Sequence, residues 1–175
     1  MTVIRERNLS FTFSESAFVI KHDKWGPYLE WSGAAGGRKG VDFAMSHDKT
    51  LWLLEVKDFR VQGGQSNPEN SSRLAKTVHD KVVDTLSCLA LVAKSGDTTA
   101  VRLLAPNRRS VVLHLEPPIG ARRLFPTSQQ SANIRQRLRQ LLRKMAPNPR
   151  VLSIATTAGE AVPWTVCSVG PPAGV

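Results

Sequence analysis

Cysteine is almost missing from this chain. Only Cys88 and Cys167 are present, too few for a disulfide framework or a cysteine metal cluster, so a reducing compartment is expected. The four histidines, His22, His47, His79 and His114, have no metal-ligand spacing, which sets a zinc site aside. No Gly-x-Ser-x-Gly segment offers a serine nucleophile. The loop GAAGGRKG at 33–40 lacks the Gly-Lys-Ser/Thr of a phosphate loop. Long hydrophobic runs are also missing. The longest, at 86–93, is too short to span a bilayer, and the opening MTVIRERN has no signal core. A soluble, cytoplasmic protein without membrane contact is the expectation. Acidic residues are scarce too: 14 Asp and Glu face 24 Lys and Arg, a net charge of +10. That excess points to a polyanionic partner, with nucleic acid ahead of an anionic membrane.

The 175 residues fit one domain, with a core over about 10–115 and a C-terminal helix and strands over about 125–169. Residues 9–20 read as either strand or helix. The stretch 41–57 reads as a hairpin, and polar, Gly-rich 61–71 as a loop. Leu74, Val78, Val82, Leu86, Leu89 and Ala93 form one stripe of a helix over 72–94, which Ser71 or Ser72 can cap. A short strand is expected at 100–104 and a stronger one at 110–115. A second helix over 128–145 has Ile134, Leu138, Leu141, Leu142 and Met145 as its buried face. Strands follow at 150–156 and 163–169, then a frayed tail, GPPAGV. The order predicts an α/β fold, a mixed central β-sheet flanked by helices.

The hairpin GVDFAMSHDKTLWLLEVKDFR (40–60) carries the chemistry. With a turn at 47–50, Ser46 faces Leu51, Ala44 faces Leu53 and Asp42 faces Glu55. Alternation gives one face to Val41, Phe43, Met45, Trp52, Leu54 and Val56. The other face gathers Asp42, Glu55 and Lys57 at one end. Opposed carboxylates repel and need a neutralising partner. A divalent cation such as Mg²⁺ suits two carboxylates; an ion-paired surface hairpin end is the competing reading.

Asp42 followed by Glu55-Val56-Lys57 resembles the signature of the PD-(D/E)XK nuclease superfamily, with Val41 where that pattern often has Pro. The resemblance covers roughly residues 10–115 and implies a restriction-endonuclease-like core. It also implies a metal-dependent endonuclease or exonuclease that hydrolyses phosphodiester bonds, with DNA ahead of RNA. The setting would be a bacterial defence or mobile-element system. By that resemblance, Asp42 and Glu55 ligate Mg²⁺ or Mn²⁺ with the Val56 backbone carbonyl, and Lys57 positions the attacking water. An earlier carboxylate, Glu30 rather than Glu15, would complete the metal set. The alternative is a non-cutting nucleic-acid-binding or scaffold module on the same fold. Arg38, Lys39 and Arg60 are candidate nucleic-acid contacts, and Arg135, Arg139 and Arg143 repeat every four residues on the second helix. Arg108-Arg109 and Arg122-Arg123 are further basic pairs. So small a domain suggests a homodimer or a larger assembly.

Overall fold

The computed structural model describes residues 1–60, 70–117 and 127–169. The loop expected at 61–71 lies outside them apart from its last two residues, as do Arg122-Arg123 and the GPPAGV tail. The fold is α/β. A five-stranded mixed sheet has the order β3-β4-β5-β6-β7, built from β3 (Phe18–Lys21), β4 (Phe43–His47), β5 (Thr50–Asp58), β6 (Arg108–Glu116) and β7 (Arg150–Leu152). β3, β4 and β5 pair antiparallel, and β5, β6 and β7 pair parallel. A separate three-stranded sheet joins β1 (Thr2–Glu6), β2 (Leu9–Phe13) and β8 (Trp164–Ser168).

The β4–β5 hairpin closes where Asp48 and Lys49 take φ of 44° and 58°, the left-handed pair that a tight hairpin turn requires. The parallel step from β5 to β6 crosses through α2 (Ser71–Lys94) and α3 (Thr98–Leu104). α2 buries Leu74, Ala75, Val78, Val82, Thr85, Cys88 and Leu89. Its cap is Asn70, whose side chain accepts from the Ser72 N–H at 2.9 Å, rather than Ser71 or Ser72 themselves. Residues 100–104 are helical, not a strand. Gly96, at φ 91°, follows the end of α2, and the Asp97 carboxylate accepts from the Ala100 N–H at 2.7 Å, starting a new helix. α4 (Thr127–Leu142) stops earlier than its pattern suggests, and Leu141 is exposed. β7 is short and gives way to α5 (Ile154–Thr157), while the strand expected near 163–169 pairs with β2, outside the central sheet.

Two apolar layers enclose the central sheet. One face, with Ala44, Leu51, Leu53, Val111 and Leu113, packs under α2, α3 and α4. The other, with Phe43, Met45, Trp52, Leu54 and Val56, packs against Leu9, Phe11, Phe13 and Trp164 of the small sheet. Val41 departs from the expected alternation. It precedes the first residue of β4 and joins the helix-side layer. Both faces of the hairpin are therefore covered, which is why β5 reads as a nearly continuous apolar run.

Candidate functional site

The hairpin register is the expected one: Phe43 pairs with Leu54, Ala44 with Leu53 and Ser46 with Leu51. Asp42 lies one step beyond the last pair, alongside Glu55. It is pinned from three directions. Its Oδ2 accepts from the Val56 N–H at 2.6 Å, its carbonyl accepts from the His22 N–H at 2.8 Å, and the preceding Val41 N–H donates to Thr85 Oγ1 of α2 at 3.0 Å. Asp42 is 9% exposed and Glu55 1%, so two carboxylates do share one desolvated corner.

A second lysine answers Glu55. Lys81, from the middle of α2, donates to both Glu55 oxygens at 2.7 and 2.9 Å. Lys57 Nζ lies 3.3 Å from Glu55 Oε1, and with its side chain 21% exposed it connects the site to solvent. Burial works to lower the Lys81 pKa, but the Glu55 carboxylate more than reverses it and holds the ammonium above its ordinary value. Asp42 goes the other way. Burial first, then the neighbouring Glu55 charge, push its carboxyl up to about 7, against the smaller pull of Lys81 and the Val56 N–H.

On its other side Asp42 meets two carboxylates that the sequence pattern did not single out. Oxygens of Glu6, Asp23 and Asp42 all lie within 4.8 Å of one another, with Lys21 Nζ 2.7 Å from Glu6. Glu6 comes from β1, and Asp23 from the 3₁₀ turn His22–Lys24 after β3. Lys81 had one local cue: it lies three residues after Val78 and one before Val82, at the edge of the buried stripe.

Glu30 does not join this corner. It is exposed on α1 (Gly26–Ala34) and lines a groove with Trp31, Leu91 and Asp97. Leu91 lies ten residues beyond Lys81 on α2, about 15 Å along the helix. α1 turns Glu30 toward the far end of α2. Glu15 is also remote, with its carboxylate 3.4 Å from the N-terminal amine. Arg38 and Lys39 are exposed as a nucleic-acid contact requires, although Arg38 also donates to Asp84 at 2.8 Å. Arg60 is not free to face a ligand. Its guanidinium grips both Asp58 oxygens at 2.9 and 2.8 Å and reaches Ser168 Oγ at 3.1 Å, tying the two sheets together.

A cysteine–tRNA ligase from Neisseria meningitidis (serogroup A, serotype 4A, strain DSM 15465 / Z2491) is 27% identical to the chain over a 166-residue alignment. The alignment covers 77% of this chain and 24% of that protein, so the chain spans about a quarter of its relative's length. No protein-family model matches the chain, and no solved structure matches it. The similarity corrects the functional expectation. The relative is named as a ligase acting on tRNA, not as a nuclease hydrolysing DNA, and that overturns the expected nuclease reading. Among the described residues no helix is long and apolar enough to cross a membrane.

Proposed function

We propose that this chain is a tRNA-binding domain that serves aminoacyl-tRNA ligation. The likeness to a cysteine–tRNA ligase carries the reading, because tRNA is what that protein's name says it acts on. The chain corresponds to about a quarter of that relative, so its assigned share is a contribution to holding tRNA, not the whole ligation. The net charge of +10 supports a polyanionic partner of this kind.

The carboxylate–lysine corner suits contact with a phosphate group. Glu55 holds two ammonium groups in place, and Lys57, 21% exposed against 15% for Lys81, is the more open to solvent. Mg²⁺ is part of the proposal, and the residues fit it. Three carboxylate oxygens converge within 4.8 Å, Asp23 Oδ1 is buried without a hydrogen-bond partner among the described residues, and burial pushes both the Asp23 and Asp42 carboxyls up. Asp42, Glu6 and Asp23 would hold the ion, in place of the expected set of Asp42, Glu55, the Val56 carbonyl and Glu30. Hard cations of this type take oxygen ligands and favour phosphate oxygens as further partners.

The test is a fluorescence-anisotropy titration of a tRNA transcript with the parent and with Lys57→Gln, with and without Mg²⁺. The parent should bind with an affinity that falls as salt rises, and Lys57→Gln should weaken binding by about tenfold or less, the scale of one exposed phosphate contact. Absence of binding at low salt, or shortening of the RNA during the titration, would overturn the reading.

A further inference from the structure

The chain's positive charge is concentrated. From residue 117 to residue 159 there are eight Lys and Arg and no Asp or Glu, so most of the net +10 falls in about a quarter of the sequence. α4 lies within this stretch. Its buried residues Ile134, Leu138 and Leu142 belong to the helix-side layer, and it packs on α2. Its other side is exposed and carries Arg135, Arg137 and Arg139, and the turn that follows adds Arg143 and Lys144. Arg137 donates to Gln140 at 3.2 Å, and none of the five makes an ion pair among the described residues.

Helix stability does not account for this face. Cations in the last turn of a helix favour its dipole, which covers Arg139, but Arg135 lies too far from the C-terminal end at Leu142 for that effect. Elsewhere the chain places acids against cations both buried and exposed: Glu55 beside Lys81, Asp58 beside Arg60 and Glu6 beside Lys21, and Asp84 beside Arg38 and Asp80 beside Lys76. Here it supplies none, and like charges at four-residue spacing weaken an isolated helix. Arg135 and Arg139 lie one turn apart, about 6 Å along the axis, and Arg143 follows just past the helix end, a row that suits phosphates and carries no base-reading geometry.

We infer that the outer face of α4, with the turn after it, is the docking surface for the phosphate backbone of the bound RNA. The inference rests on the tRNA reading above and adds a second place of contact to the Lys57 corner. It lies on the helical layer, separate from the Asp42–Glu55 corner, and holds the nucleic acid by charge.

The test is the salt dependence of tRNA affinity for the parent, for the triple variant Arg135→Gln/Arg139→Gln/Arg143→Gln, and for a charge-matched control, Arg5→Gln/Lys24→Gln/Lys94→Gln. All six side chains are exposed, and thermal unfolding confirms that each variant is folded. The slope of log affinity against log salt should fall by about 2–3 in the α4 variant, at roughly 0.7–0.9 for each phosphate no longer neutralised. Affinity near 0.1 M salt should drop by about a hundredfold, and the control should change the slope by less than about 1. An α4 variant that matches the control would overturn the surface while leaving tRNA binding intact. A parent that ignores tRNA would overturn both readings. A parent that binds anionic phosphatidylserine vesicles through these arginines, and not RNA, would make the face a membrane contact and overturn the inference.

Discussion

Asp42→Asn separates the corner's charge from its shape. The Asn oxygen can still accept from the Val56 N–H, while the repulsion with Glu55 and the burial of a charge disappear. In the folded chain the Asp42 carboxyl is pushed from an ordinary 3.8 up to about 7. The folded state thus holds a proton that the unfolded state has released, and stability is fully present below about pH 4 and lost as pH rises to about 7. At ~1.4 kcal/mol per pH unit the loss is about 4 kcal/mol. His22 acts oppositely over part of this range. Complete burial lowers its pKa from 6.5 to about 4, so it adds about 3 kcal/mol between those values as pH rises. In the parent the two contributions oppose each other from pH 4 to 6.5, so the difference between parent and variant is what isolates Asp42. Urea denaturation at half-unit steps from pH 4 to 8 should show the two nearly equal at the acid end, with Asp42→Asn more stable by about 4 kcal/mol at pH 8. If the difference stays within about 1 kcal/mol at every pH, Asp42 and Glu55 are not in electrostatic conflict and the corner is not the desolvated site described above.

Lys81→Met should cost about 3–5 kcal/mol, because it leaves the 1%-exposed Glu55 with only the more distant Lys57; a loss under 1 kcal/mol by urea denaturation would contradict a buried pair. Gly40→Ala should lower stability by about 1–3 kcal/mol, since an added Cβ would lie 2.6 Å from the enclosed His22 ring and 3.0 Å from Tyr28. A thermal midpoint equal to the parent's would show that this contact yields freely. Arg60→Ala should free the small sheet's edge by removing its hold on Asp58 and Ser168; amide exchange should quicken in β8 and not in β5, and unchanged β8 exchange would argue against that tie.

The hairpin was legible because two signals agreed: strict alternation of side chains and a polar tip at Asp48-Lys49. Together they put Asp42 across from Glu55 on sequence grounds alone. α2 was equally plain from its stripe. What alternation could not convey is contact across the chain. Lys81 reaches Glu55 from 26 residues away, and Glu6 comes from β1 in the other sheet. Residues 100–104 misled because five mostly apolar residues suit a strand or a helix turn; the deciding feature was the cap at Asp97. β1 and β2 carry little local signal, and the pairing of β2 with β8 depends on residues more than 150 positions apart. The chemistry was less legible than the geometry. Paired carboxylates and a lysine suit many phosphate-handling tasks, and the hydrolytic choice among them did not survive comparison with the ligase.

The proposed partner is tRNA. Its most direct measurement is competition at 0.1 M salt, with labelled tRNA bound to the intact chain and displaced by unlabelled tRNA or by duplex DNA of equal phosphate content. If tRNA is the partner, it displaces the label at least tenfold more effectively than DNA, a preference of about 1.4 kcal/mol. Equal or better displacement by the duplex would contradict the claim.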